Sequence, residues 1–151
     1  MKIMRVQKKL EIEWFDSNFP VMMEYFDHGL KATFSGLFSD VIVENIDLAK
    51  LINPRPSSTF IVKVDGDSMC DERLRAGDRV VIDKSLEHKN GKKIAYFLKD
   101  YDGWTVKKLS IQPDGIYLVA ANGDDKTLKP YKIKEYDIPL GMVTWILYNE
   151  K

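Results

Sequence analysis

The chain is poor in the residues that build disulfides, metal centres and charged binding faces. Of its 151 residues one is cysteine, Cys70, and two are histidine, His28 and His88. A single cysteine forms no internal disulfide, which excludes a disulfide-stapled scaffold and is the usage expected in a reducing cytoplasm. Structural zinc needs about four closely disposed ligands, so one cysteine and two distant histidines predict no metal site, and no cofactor motif stands in its place. Net charge is missing too, because 23 Lys and Arg balance 23 Asp and Glu. Neither part of the chain departs from this, with 7 basic and 8 acidic groups in residues 1–59 and 16 and 15 in residues 60–151. Binding to phosphate draws on a basic surplus or patch, so there is no strong signal for direct DNA binding. No run approaches the roughly 18 apolar residues of a membrane span. The N-terminus lacks the charged-then-apolar layout of a signal peptide. A cytoplasmic protein without a membrane anchor is expected.

What is present is enough apolar content, 44% hydrophobic residues, to bury a core. Early in the chain Leu10, Ile12 and Trp14 alternate with Glu11, Glu13 and Phe15 and hint at a strand. Pro20 suits a first helical turn, and Val21, Met22, Tyr25 and Phe26 share one helical face, so a short amphipathic helix is expected there. Asn45 is expected to cap a second short helix through Ile46, Leu48 and Leu51. The segment Asn53-Pro54-Arg55-Pro56-Ser57-Ser58 is the clearest boundary. Beyond it, β-rich runs at 60–65, 79–83, 93–99, 104–109, 115–120 and 139–148 are separated by turn signals such as Ala76-Gly77-Asp78 and Asn90-Gly91. This pattern predicts a compact, mostly-β domain. The part of the chain ahead of Phe60 lacks the closely spaced amphipathic helices of a helix-turn-helix.

Two fragments can carry chemistry. In Val64-Asp65-Gly66-Asp67-Ser68-Met69 a strand runs into a glycine and then a serine. Glycine permits a sharp turn, a serine past it can project its hydroxyl, and backbone N–H groups at such a turn can stabilise an oxyanion. Taken alone, Gly-x-Ser in a loop is ordinarily just a turn. In Trp104-Thr105-Val106-Lys107-Lys108-Leu109, alternation puts Thr105, Lys107 and Leu109 on one face and Trp104, Val106 and Lys108 on the other. Strand lysines ordinarily snorkel to solvent. A buried one loses pKa through desolvation, and a neutral amine beside a serine can accept its proton. Cys70, close behind Ser68, has no obvious histidine partner, and His88 lies in a polar turn.

Gly66-Asp67-Ser68-Met69 is followed by Val106-Lys107-Lys108-Leu109, with Gly77-Asp78-Arg79-Val80-Val81-Ile82-Asp83 between them. This ordered set resembles the self-cleaving serine–lysine proteases of the LexA and UmuD type. Asp102-Gly103, Ala120-Ala121-Asn122, Pro130 and Leu140-Gly141-Met142-Val143 extend the similarity over roughly residues 46–147. Ile46-Asp47-Leu48, then Pro56-Ser57-Ser58-Thr59, and the shortness of the stretch ahead of Ser68 make the chain more similar to UmuD than to LexA or the phage repressors. The resemblance implies a protease domain of curled β-sheets at 46–151, preceded by a partly helical N-terminal arm at 1–45. It implies Ser68 as nucleophile and Lys107, rather than Lys108, as general base of an endopeptidase acting on its own arm. It also implies a homodimer, a RecA–single-stranded DNA filament as trigger, and a UmuC-like translesion polymerase served by the trimmed dimer in the SOS response. The family favours an Ala-Gly or Cys-Gly bond, and the arm has neither. Gly36 stands at about the family's distance ahead of the serine and follows the small Ser35, which makes Ser35–Gly36 the expected bond. The alternatives are a non-cleaving dimeric binding module of the same fold and a stress-responsive transcriptional regulator.

Overall fold

The structure is a computed structural model and describes Gln7, residues 12–13, residues 22–26 and residues 43–148. The bond Ser35–Gly36 lies outside these residues. Ten strands and one short α-helix follow in order among the described residues: β1 (Ile12–Glu13), β2 (Met22–Phe26), β3 (Val43–Asp47), α1 (Leu48–Ile52), β4 (Thr59–Lys63), β5 (Arg79–Asp83), β6 (Lys93–Leu98), β7 (Gly103–Gln112), β8 (Gly115–Val119), β9 (Tyr131–Lys132) and β10 (Ile138–Leu147). Eight of them form one antiparallel sheet in the order β1-β4-β5-β10-β6-β7-β8-β9, and β2 pairs with β3. The protein is mostly β, as its short turn-bounded runs predict. No helix among the described residues is long and apolar enough to cross a membrane.

Within the short helix expected from Pro20 onward, the described part, Met22–Phe26, is instead a strand, in register with β3 from Met22↔Asp47 to Phe26↔Val43. So short a segment does not let periodicity separate helix from strand, and a cross-strand partner decides the matter. The second expected helix forms, but Asp47 caps it in place of Asn45. The Asp47 carboxylate accepts from the Ala49 and Lys50 N–H groups at 3.0 and 3.4 Å.

β4 and β5 are apolar on both faces, because each face meets a different layer. Phe60, Val62, Val80 and Ile82 face one core with Met69 and Leu74. Ile61 and Val81 face the other way, onto Ile52 of α1. A further cluster joins Ile94, Leu98, Leu109, Leu118 and Met142. Val80, Val81 and Ile82 are wholly inaccessible, and such burial stabilises by about 1.5–3 kcal/mol per side chain. β10 bends the sheet, giving its first half to β6 and its second to β5, with register breaks at Pro139/Gly141 and Val143/Trp145. The first break turns on Gly141, whose φ is +147° and whose hydrogen faces the β5 end. A methyl group there would sit 2.8 Å from the Asp83 carbonyl oxygen.

Candidate active site

Ser68 lies in the loop that leaves β4. Val64 still bonds to the far arm of that turn, its N–H donating to the Asp78 carbonyl and its own carbonyl accepting from Gly77, both at 2.8 Å. Gly66 then reverses the chain with φ +108°, a conformation that side chains disfavour. The residues around Ser68 are tied down in turn. Asp67 accepts at its carboxylate from the Ala76 N–H at 3.3 Å and at its carbonyl from the Asn122 amide at 3.0 Å. The Ser68 carbonyl accepts from the Ala121 N–H at 2.8 Å, and Met69 is 2% exposed in the core. The hydroxyl is left half-buried at the mouth of a cleft. Preorganisation of this kind keeps a nucleophile in one place without reorganisation cost.

Lys107 arrives from β7. That strand alternates buried and half-buried residues along its first eight positions, and Thr105, Lys107 and Leu109 fall on the buried face. Lys107 Nζ lies 2.6 Å from Ser68 Oγ, 2.6 Å from Thr105 Oγ1 and 3.2 Å from the Val106 carbonyl oxygen. Among the described residues no carboxylate is paired with it. Lys107 is 2% exposed, and burial lowers its pKa from 10.5 to about 8. A lysine with that pKa is neutral in an appreciable fraction near neutrality, and its lone pair then faces a serine hydroxyl within hydrogen-bond reach.

Lys108 points the opposite way. Its ammonium meets Glu72 at 2.8 Å, and Lys93 on the neighbouring strand meets the other oxygen of the same carboxylate at 2.9 Å. Hydrogen bonds from Lys108 and then Lys93 hold Glu72 down to about pKa 2. Both lysines of the pair are thus accounted for, and only Lys107 reaches Ser68. Cys70 turns to Asp71 instead, Sγ to Oδ1 3.7 Å, and desolvation followed by the Asp71 carboxylate raises its pKa, which keeps the thiol protonated. His88 is exposed. Among the described residues no group of three or more His, Cys, Asp or Glu side chains could hold a metal ion.

Three contacts at the site were not anticipated from the sequence. Thr105 shares a face with Lys107 by alternation, and that was the available signal. Glu72 ties the serine loop to the lysine strand, and Gln7 lines the same cleft as Ser68 and Lys107. Neither has a sequence signature.

A half-buried serine joined to a desolvated lysine, on an antiparallel sheet, has the makings of a serine hydrolase that works without histidine. The Peptidase S24-like family model matches residues 21–142, and the chain belongs to that family, the LexA and UmuD family, as a UmuD-like member. Membership supports a serine-peptidase kind of activity. Protein SamA of Salmonella typhimurium is 31% identical over 127 residues, 83% of this chain and 85% of its own length. Protein ImpA of Escherichia coli is 26% identical over 123 residues, 80% of each chain. Protein MucA of Escherichia coli is 31% identical over 70 residues, 46% of this chain and 47% of its own.

Proposed function

We propose that the protein is a self-cleaving peptidase in which Ser68 is the nucleophile and Lys107 the general base, with the arm at 1–45 as substrate and residues 46–151 as the enzyme. The observation that carries the reading is the 2.6 Å contact between Ser68 Oγ and the nitrogen of a buried lysine. Neutral Lys107 takes the hydroxyl proton as Ser68 Oγ attacks the carbonyl carbon of Ser35. Backbone N–H groups at the Gly66–Ser68 turn receive the developing oxyanion. The ammonium then returns its proton to the departing Gly36 amine, leaving an acyl group on Ser68. Water, activated by the same lysine, releases it.

The pKa makes this chemistry accessible. At about 8, roughly a tenth of Lys107 is neutral at pH 7 and about half at pH 8. At the ordinary 10.5 the neutral fraction at pH 7 would be about 300-fold smaller. The rate therefore rises with pH and levels off above the lysine pKa.

UmuD-like membership supports a place in SOS mutagenesis. In this reading the trimmed protein is a homodimer that serves as accessory subunit of a UmuC-like translesion polymerase, and RecA filaments on single-stranded DNA trigger the cut. A non-cleaving dimeric binding module is the second reading, favoured by the lack of Ala-Gly or Cys-Gly in the arm. Incubation of the purified protein at rising pH, with and without RecA filaments, separates the two by fragment mass. A fragment beginning at Gly36, formed faster at alkaline pH, is expected; no fragment under any condition would leave the binding module standing. Co-purification with a polymerase subunit tests the partner.

A further inference from the structure

The cleft at Ser68 has a strand edge, and Gln7 sits on it. β7 pairs with β6 from Gly103 to Lys108, while β8 takes up the other edge only from Lys108 onward. Gln7 meets the part of that edge which β8 leaves. Its N–H donates to the Trp104 carbonyl at 2.6 Å, and its carbonyl accepts from the Trp104 N–H at 2.7 Å, a closed antiparallel pair. Its side-chain amide donates to the carbonyl of Asp65, in the loop just ahead of Ser68, at 3.1 Å. Gln7 thus bridges the two walls of the cleft, β7 on one side and the serine loop on the other. Gln7 also lies upstream of residues 21–142, so the family match does not extend to it.

This edge leads to the reactive pair. Main-chain groups at alternate positions on a strand point the same way, so the edge that presents Trp104 next presents Val106. The Val106 carbonyl is itself 3.2 Å from Lys107 Nζ. A peptide held extended along Trp104 and Val106 would carry its main chain past Ser68, which is what a serine needs in order to attack a backbone carbonyl. One edge position pairs with one residue at a time, and in this structure that residue is Gln7.

We propose that Gln7 and the stretch to be cut compete for this single strand-binding edge, so that the Gln7-bound form is a resting state. The inference rests on the self-cleavage reading only for the identity of the competitor, the segment around Ser35–Gly36. A cut requires Gln7 to leave Trp104 and Asp65, and anything that draws the first residues of the arm away favours it.

The test uses the full chain with Ser68→Ala, which cannot cleave, alone and combined with Gln7→Pro. Proline removes both the N–H given to Trp104 and the amide given to Asp65. Two readouts are taken: hydrogen exchange at the Trp104 amide, and binding of a labelled peptide with the sequence of residues 31–40. Exchange is expected to quicken, and the peptide to bind about tenfold tighter, from the loss of two hydrogen bonds. Gln7→Ala, which keeps the main-chain pair, should fall between. Unchanged exchange, unchanged affinity, or no peptide binding to either chain would overturn the competition. Failure of the protease reading shows separately, as absence of any fragment from the Gln7→Pro chain that retains Ser68.

Discussion

Thr105→Val probes the hydrogen bond that holds Lys107. The substitution keeps the shape of a buried side chain and deletes one oxygen, 2.6 Å from Lys107 Nζ. That oxygen accepts from the ammonium, so it favours the charged form, and its loss must lower the lysine pKa further below about 8. A hydrogen bond to a charged group contributes about 1.5–3 kcal/mol. Only part of that distinguishes ammonium from amine, so the expected fall is about 1 pKa unit, near 1.4 kcal/mol. Two effects on self-cleavage oppose each other. The neutral fraction at pH 7 rises from roughly a tenth to about half. The plateau rate at alkaline pH falls, because Lys107 has lost the partner that aims it at Ser68. The assay is the rate of fragment formation from pH 6 to 10, read by mass. A midpoint displaced to lower pH with a reduced plateau is expected. A midpoint that stays in place or moves up would refute the reasoning, since it would mean that Thr105 does not stabilise the ammonium.

Lys108→Met should leave the pH midpoint of cleavage within about half a unit, because desolvation and not its neighbour lowers Lys107; its cost in stability, read by denaturant unfolding, is under about 1 kcal/mol for a half-exposed ion pair. Asp83→Asn should destabilise by about 1.5–3 kcal/mol, as the carboxylate accepts from Ser58, Ser85 and Arg55 at 2.6–2.9 Å. Burial pushes the Asp83 pKa up, but the Ser85, Ser58 and Arg55 bonds outweigh it and the net shift is downward. Its contribution is therefore present above the unfolded carboxylate pKa and is lost as pH falls through the folded one, so wild type and Asp83→Asn should converge in acid. Gly141→Ala should lower Tm, since a methyl group would meet the Asp83 carbonyl oxygen at 2.8 Å at a φ of +147°.

The strands β4 to β8 were legible because each is a mostly apolar run with turn residues close on either side. β7 was the most informative, since alternation set Lys107 and Lys108 on opposite faces with Thr105 beside the former, while the choice of Lys107 came from the family resemblance. The closeness of Lys107 to Ser68, in a loop far earlier in the chain, was not legible from pattern. It depends on the β4–β5–β10–β6–β7 order of the sheet, and the resemblance to a family supplied what periodicity could not. β2 reads as helix from pattern alone because its pairing partner is remote in sequence: β2 ends at Phe26 and β3 begins only at Val43. The helix cap moved from Asn45 to Asp47 because Asn45 and its neighbours pair with β2 as strand. β9 spans only Tyr131–Lys132 and carries no pattern. Gln7 left no signal, because a lone residue pairing with Trp104 is a purely tertiary event.

The pairing of Ser68 with Lys107 is tested most directly by three chains followed across pH: wild type, Ser68→Ala and Lys107→Ala. Fragment appearance is measured by mass in each. Wild type should yield the fragment with a midpoint near the lysine pKa of about 8, and both variants should yield none. A fragment that persists in both variants would contradict the assignment.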